Sequence, residues 1–293
     1  MVLVIGAGCF LGSALVKDLL KRYDKIKILL EPHEAINHVI EDSNRIIKAV
    51  CPLNDFNSIC LIMQDVKYIY NLHSYNKTIL NKREICSSII NTANIVNAAA
   101  FVNVEKVIHI SSLAAIGGLK DGNKFGLADI YSYPCKNNLY GINQYEVNRE
   151  VFRARCEGLN TVIVYAPLFK EDTYTINKLI SYHILKINRK DYIVISFGKI
   201  NSFIDKLIYL QLNNTEEYNF IAVEENILFK DLAINFNANI KTTGFFKNSL
   251  SLIASYLYSK NKVKLDSEIS FWANNTNSYI GNNISRITSN LYT

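Results

Sequence analysis

A glycine-rich turn near the start of the sequence has the residue types best suited to chemistry. Residues 2–13 read VLVIGAGCFLGS, an apolar run typical of a strand, followed by Gly6, Gly8 and Gly12 and then by apolar residues at helical spacing. A strand, a tight turn and a helix N-terminus direct backbone N–H groups and the positive end of the helix dipole at one point, where they favour an anion. The pattern predicts a pyrophosphate-binding turn. The alternative is a βα turn without a ligand.

The other reactive residue types do not form recognisable sites in the sequence. The 6 cysteines include no CxxC pair, so the sequence predicts neither a zinc site nor a disulfide framework. The 5 histidines show no HxxxH or HxH spacing, and no metal site is expected. Hydrolase chemistry has little support, since the sequence contains no Gly-x-Ser-x-Gly elbow.

Alternating strand and helix patterns must position the glycine turn. Apolar runs predict strands, and apolar residues at helical spacing predict helices between them. The predicted strands cover 25–30, 45–50, 66–72, 106–110 and 161–165, and the predicted helices cover 11–21, 56–63, 87–101 and 140–156. Repeated βα units predict an α/β fold with a doubly wound parallel sheet. Ligands of such sheets bind at the carboxyl ends of the strands, where the glycine turn, Glu31, 71–74 and 111–112 fall.

Several segments occur in an order and spacing that match a known family. They are GAGCFLG at 6–12, NLHS at 71–74, TANIVNAA at 92–99, VIHISSLAAIG at 107–117, YGINQ at 140–144 and GLNTVIVYAP at 158–167. This set resembles the extended short-chain dehydrogenase/reductase family, which includes nucleotide-sugar epimerases and dehydratases and the 3β-hydroxysteroid dehydrogenase-like enzymes. The resemblance covers most of the chain. It implies a Rossmann-type fold and a nicotinamide cofactor.

The resemblance also implies catalytic roles for three positions. Tyr140 would give or take a proton while hydride moves, although an unperturbed phenol has a pKa of about 10. Ser112 would hydrogen-bond the same substrate oxygen. The family has a lysine four residues after the tyrosine, which lowers the phenol pKa and holds the nicotinamide ribose, but here that position is Gln144. The neutral amide cannot lower the phenol pKa by its charge, which counts against redox turnover, and Lys136, four residues before Tyr140, is the alternative cation if the helix has already begun there.

The cofactor residues implied by the resemblance lie in three segments. They are Gly6, Gly8, Cys9, Phe10, Leu11, Gly12, Glu31, Leu72 and His73. Cys9 replaces the middle glycine of the family motif and puts a side chain near the pyrophosphate. Glu31 would accept hydrogen bonds from the adenosine ribose diol and repel a 2′-phosphate, which favours NAD over NADP. The alternatives are a solvated glutamate at 31 and a packed histidine at 73.

The second half of the chain shows a different pattern. From about residue 168 the βα rhythm weakens, and residues 169–189 and 246–259 have helical apolar spacing. By the resemblance, we expect a Rossmann domain over 1–167 and a smaller C-terminal substrate lobe over 168–293, with part of 195–225 returning to the core. The aromatic composition of this lobe suggests an apolar portion of the substrate, although packing alone also explains it.

Composition and charge limit the partners. The net charge of +6 over 293 residues comes from dispersed lysines and arginines, which gives little support for nucleic acid. No apolar run approaches the ~20 residues of a membrane-spanning helix. The first strand directly follows Met1 with no basic leader, so we expect a cytoplasmic protein. The apolar helices at 87–101 and 140–156 would allow a homodimer.

Three hypotheses of function follow. The first is an NAD(P)-dependent oxidoreductase acting on a secondary alcohol or ketone of a small organic or lipid-like substrate. The second is a catalytically impaired nucleotide-binding or structural protein on the same fold. The third is a non-redox enzyme of the dehydratase, epimerase or cyclase type, for which a neutral tyrosine would suffice as an acid.

Overall fold

The computed structural model describes residues 1–36, 40, 43–75, 81–117, 124–134, 138–176, 179, 194–228, 231 and 278–279. The strands are β1 Val2–Ile5, β2 Ile26–Leu30, β3 Ile46–Val50, β4 Tyr68–Asn71, β5 Lys106–Ser112, β6 Lys124–Phe125, β7 Thr161–Ala166, β8 Leu168–Phe169, β9 Val194–Gly198, β10 Asn219–Ile221, β11 Glu225–Leu228 and β12 Ser278–Tyr279. The α-helices are α1 Phe10–Arg22, α2 Phe56–Met63, α3 Lys82–Phe101, α4 Leu139–Cys156 and α5 Ile200–Leu212. Two short 3₁₀ turns cover Leu113–Ala115 and Leu127–Asp129.

Seven strands form one parallel sheet in the order β10-β7-β5-β4-β1-β2-β3. The predicted doubly wound, Rossmann-type sheet is therefore confirmed. The chain builds outward from β1 through β2 to β3 and then returns to β4 on the other side of β1. This reversal leaves a crevice at the carboxyl ends of β1 and β4, which is where ligands bind in open α/β sheets.

Helices cover both faces of the sheet and bury its apolar side chains. Alternate residues of a strand point to opposite faces, so Val107 packs in the core beneath α2, α3 and α4 while Ile108 packs in the core beneath α1 and α5. Every residue of β5 is buried, as expected of a central strand in a parallel sheet. This double layer holds the strand ends in fixed positions.

The predicted element boundaries were nearly correct, with one informative difference. Helix α3 begins at Lys82, five residues before the predicted start at residue 87. Asn81 caps the helix by accepting the backbone N–H groups of Arg83 and Glu84, and the Glu84 side chain accepts the N–H of Asn81. This capping box supports a polar first turn whose apolar spacing is too weak to read from the sequence.

Beyond residue 167, the described residues belong to more than one sheet. Strand β10 is the edge of the main sheet beside β7, whereas β8, β9 and β11 form a separate three-stranded sheet. The predicted helix at 246–259, most of the one at 169–189, and Lys136 lie outside the described residues. Among the helices that are described, none has the length and apolar character needed to cross a membrane.

Candidate functional site

The glycine turn joins β1 to α1 at the crevice. Cys9 is the N-cap of α1, and its Sγ accepts the backbone N–H of Gly12 at 3.1 Å. A Cβ atom on Gly12 would lie 2.2 Å from the carbonyl oxygen of Gly6, so only glycine lets the helix pack this close to the strand. The closeness of α1 to β1 therefore depends on the absence of a side chain at position 12. The Cys9 thiol is drawn into the cap of the helix.

A cavity of about 370 Å³ opens at this turn. Its lining comes from the turn, from the segment after β2 and from the end of β4: Gly6, Gly8, Cys9, Glu31, Pro32, His33, Glu34, Ala35, Leu72 and His73. Six of the nine residues expected to bind a cofactor line this cavity. Of the other three, Gly12 packs against the backbone of Gly6, Leu11 is buried in the core, and Phe10 lines a second cavity of about 510 Å³.

Glu31 and His73 face each other across the cavity. The Oε2 atom of Glu31 lies 3.8 Å from Nδ1 of His73, and Nε2 of His73 lies 3.3 Å from Nδ2 of Asn91. With the Asn91 amide oriented so that Nδ2 donates, His73 accepts at Nε2 and carries its ring proton on Nδ1, toward the carboxylate. Asn91 therefore orients His73, a role that the sequence analysis missed because the residue is on α3, far along the chain.

Glu34 is a second acidic residue of the cavity, and no motif in the sequence pointed to it. Its Oε1 accepts the backbone N–H of Gly8 at 3.2 Å, and its Oε2 accepts the backbone N–H of Glu31 at 3.0 Å. No lysine or arginine occurs among the described residues that line this cavity. The only sequence signal for Glu34 is an acidic residue placed three positions after Glu31.

Tyr140 and Gln144 lie one turn apart on α4, and both bond to the segment that follows β4. The Tyr140 hydroxyl donates to the carbonyl oxygen of Tyr75 at 2.7 Å. Nε2 of Gln144 donates to the carbonyl oxygen of Ser74 at 2.5 Å, and the Ser74 hydroxyl donates to Oε1 of Gln144 at 3.5 Å. Both side chains are buried. The Gln144 amide, at the position where the resemblance implies a lysine, thus holds the backbone of the segment that follows β4.

Ser112 is the last residue of β5 and lies close to the start of α4. Its Oγ accepts the backbone N–H of Ala114 at 3.2 Å, within the 3₁₀ turn that follows the strand. A Cβ on Gly141 would lie 2.4 Å from the carbonyl oxygen of Ala114, so this turn rests directly on the first turn of α4. The fold therefore brings Ser112 and Tyr140 to the two sides of one tight contact at the carboxyl end of the sheet.

A buried polar cluster lies beneath these residues, between the sheet and α4. His109 on β5 is fully buried, and neither of its ring nitrogens has a hydrogen-bond partner among the described residues. Burial lowers the pKa of His109 from 6.5 to about 4, while the nearby side chain of Asn148 opposes this shift. The imidazole is neutral at pH 7 and supplies no charge to the site.

In the part of the chain that the structure describes, no group of three or more His, Cys, Asp or Glu side chains is arranged to hold a metal ion. The polar groups that line the cavity are backbone N–H groups, two carboxylates and an imidazole, whereas the Tyr140 and Ser112 hydroxyls are buried and bond to backbone. Such a set can bind a ribose and a phosphate and exchange a proton.

Comparisons with known proteins agree with this geometry. A profile of the 3-beta hydroxysteroid dehydrogenase/isomerase family matches residues 3–135. No curated protein sequence matches the chain. One similar solved structure is UDP-glucose 4-epimerase from Thermotoga maritima, with 17% identity over 84% of this chain and 83% of that chain and a TM-score of 0.67. A second is vestitone reductase from alfalfa, Medicago sativa, with 14% identity over 81% of this chain and 81% of that chain and a TM-score of 0.66. A third is GalE-like L-threonine dehydrogenase from Cupriavidus necator, with 14% identity over 81% of this chain and 82% of that chain and a TM-score of 0.63. At these identities the structural similarity establishes the fold.

Proposed function

We propose that the chain is a member of the extended short-chain dehydrogenase/reductase family, and that it is an NAD-dependent oxidoreductase acting on a secondary alcohol or ketone of a small organic or lipid-like molecule. The observation that carries the proposal is the cavity at the switch between β1 and β4. There the glycine turn, Glu31 and His73 face one another.

The residues of this cavity fit the adenosine and phosphate portion of a dinucleotide. Gly6 and Gly8 line the cavity with backbone, and a phosphate would reach the N–H of Gly8 by displacing the Glu34 carboxylate that accepts it in the structure. Glu31 is positioned to accept two hydroxyl hydrogens of a ribose diol, and its charge disfavours a 2′-phosphate. NAD is therefore the preferred cofactor. When bound, the nicotinamide would supply the hydride acceptor or donor.

The chain's own residues would handle the proton at the reacting oxygen. The Tyr140 hydroxyl donates to Tyr75 in the structure, so action as an acid requires it to exchange that carbonyl for the substrate oxygen. Ser112 would stabilise charge on the same oxygen, which requires its Oγ to donate outward while it accepts from Ala114. Gln144 would position the end of β4 through Ser74.

A second candidate is a nucleotide-binding protein without redox turnover, or one that catalyses a non-redox step with a neutral tyrosine. The observation that favours it is the environment of Gln144. Its amide is fully buried against Ser74 and carries no charge to lower the pKa of a neighbouring phenol.

Calorimetric titration with NAD⁺, NADH, NADP⁺ and NADPH tests the proposal. We expect micromolar binding of NADH and at least tenfold weaker binding of NADPH, equivalent to about 1.4 kcal/mol or more. Absence of binding to all four nucleotides by the folded protein would overturn both the oxidoreductase and the nucleotide-binding candidates.

The variant Gln144→Lys separates the two candidates once binding is established. If the site performs hydride transfer, an ammonium one turn from Tyr140 should raise the turnover of a ketone panel by about tenfold and shift the pH–rate profile to lower pH. Gln144→Met is the neutral control, which loses the bonds to Ser74 without adding charge. Unchanged turnover in Gln144→Lys, with NADH affinity intact, favours the non-redox candidate.

A further inference from the structure

The Glu34 side chain bonds to the glycine turn in the way a bound anion would. One carboxylate oxygen accepts the N–H of Gly8, and the other accepts the N–H of Glu31, at 3.2 and 3.0 Å. Backbone N–H groups at such a turn favour negative charge, which is the reason that the motif suits a phosphate. In this chain a carboxylate that follows β2 supplies the negative charge.

The backbone beside Glu34 also approaches the turn closely. A Cβ on Gly8 would lie 2.3 Å from the carbonyl oxygen of Ala35, so the space that glycine leaves open is used by the segment carrying Glu34. This segment separates the cavity of about 370 Å³ from the second cavity of about 510 Å³, and Gly8 and Ala35 line both. Movement of residues 34–35 away from Gly8 would join the two spaces.

Because it is negatively charged, the Glu34 carboxylate competes with a phosphate for the N–H of Gly8. Glu31 is the second carboxylate of the same cavity, and none of the described residues that line this cavity is a lysine or arginine that could offset the two negative charges. A phosphate at Gly8 would meet the Glu34 carboxylate at hydrogen-bond range and would be repelled. Both groups cannot accept the same N–H.

We propose that Glu34 determines the dinucleotide affinity of this chain by occupying the anion position of the glycine turn, from which an incoming pyrophosphate must displace it. The proposal rests on the proposed function, because it concerns the same dinucleotide site. It predicts that the affinity gain on removing Glu34 is confined to ligands that carry the pyrophosphate.

The test compares Glu34→Ala and Glu34→Gln with the wild type by calorimetry, with NADH and ADP-ribose as probes that carry the pyrophosphate and adenosine as the probe that lacks it, whose affinity should be the same in all three proteins. Glu34→Ala removes both the charge and the acceptor, and we expect it to bind NADH and ADP-ribose about tenfold more tightly, a change of about 1.4 kcal/mol. Glu34→Gln keeps an acceptor without charge and should fall between the two. Glu216→Gln makes the same charge change at an exposed position and should bind like the wild type.

Amide hydrogen exchange at Gly8 in the nucleotide-free proteins gives a second readout. Loss of the carboxylate should speed exchange of this N–H in Glu34→Ala but not in Glu216→Gln. Unchanged exchange would overturn the inference, since Glu34 would then not hold the turn.

The outcomes separate this inference from the proposed function. If the wild type binds NADH and Glu34→Ala binds it equally or more weakly, the inference is wrong and the proposed function stands. If none of the folded proteins binds any of the four nucleotides, the proposed function fails and the inference fails with it.

Discussion

The two halves of the site, the glycine turn and the start of α4, differ in how far their polar side chains are exposed. At the glycine turn, Glu31 keeps 30% of its side chain exposed and borders a cavity of about 370 Å³. At the start of α4, Tyr140 and Gln144 are at most 1% exposed and bond to consecutive backbone carbonyls after β4. One half is open to a ligand, and the other is closed on the chain itself. Under the proposed function, binding and turnover would therefore depend on different halves of the site.

The largest effect is expected from Gly12→Ala, which tests whether the open half depends on close helix packing. The new methyl group would lie 2.2 Å from the backbone oxygen of Gly6, and overpacking of this kind costs about 3 kcal/mol. Urea unfolding measures the loss, and nucleotide binding should disappear with it. Gly126→Ala is the matched control, because a Cβ there has no atom within 4 Å. Equal stability of the two variants would contradict the packing argument.

The next effect concerns the closed half and its dependence on pH. Burial lowers the pKa of His109 in the folded protein to about 4, whereas in the unfolded chain it is about 6.5. Between about pH 4 and about pH 6.5, His109 is therefore protonated in the unfolded chain and neutral in the folded protein. Stability should fall as the pH drops, by about 2 kcal/mol between pH 7 and pH 5. Above pH 7 this contribution is constant.

Urea unfolding of His109→Leu at the same two pH values isolates this effect. The leucine has no proton to bind, so the variant should lose less stability than the wild type as the pH falls from 7 to 5. A wild-type pH dependence that persists unchanged in the variant would assign it to other groups.

A smaller effect is expected from Tyr140→Phe, which tests how far the two halves are separate. The variant loses the hydrogen bond to the Tyr75 carbonyl, a cost of about 1 kcal/mol in unfolding free energy. NADH affinity should be unchanged, while any hydride transfer should be lost. Tyr145→Phe is the control on the same helix, since its hydroxyl bonds the Tyr131 carbonyl at an exposed position and at 3.3 Å. A large loss of NADH affinity in Tyr140→Phe alone would show that the halves are coupled.

The smallest effect is expected from Glu31→Gln, which tests whether Glu31 in the open half selects NADH over NADPH. The amide can still bond a ribose hydroxyl but no longer repels a 2′-phosphate, so the preference for NADH over NADPH should fall about fivefold, or ~1 kcal/mol. Titration with both nucleotides measures the ratio. Glu216→Gln should retain the wild-type preference, and an equal ratio in all three proteins would remove Glu31 from cofactor selection.

Local patterns carried most of the fold prediction. Strand β1, helix α1 and the close approach at Gly12 follow from neighbouring residues, because apolar periodicity and glycine act within a few positions of the chain. The start of α3 was predicted too late, since its first turn is polar and is held by a cap. The position of Tyr140 on α4 was anticipated by its resemblance to a family motif, but the partner of its hydroxyl was not.

The sequence by itself determined the order of strands and helices, the glycine turn and the neutral residue at position 144. Only the tertiary structure decided what the polar groups face. Hydrogen bonds join Glu34 to Gly8, Tyr140 to Tyr75 and Gln144 to Ser74, and these pairs are 26, 65 and 70 residues apart in the sequence. These contacts depend on which strands are neighbours in the sheet and on how closely the helices pack, and neither is encoded in any short stretch of the chain.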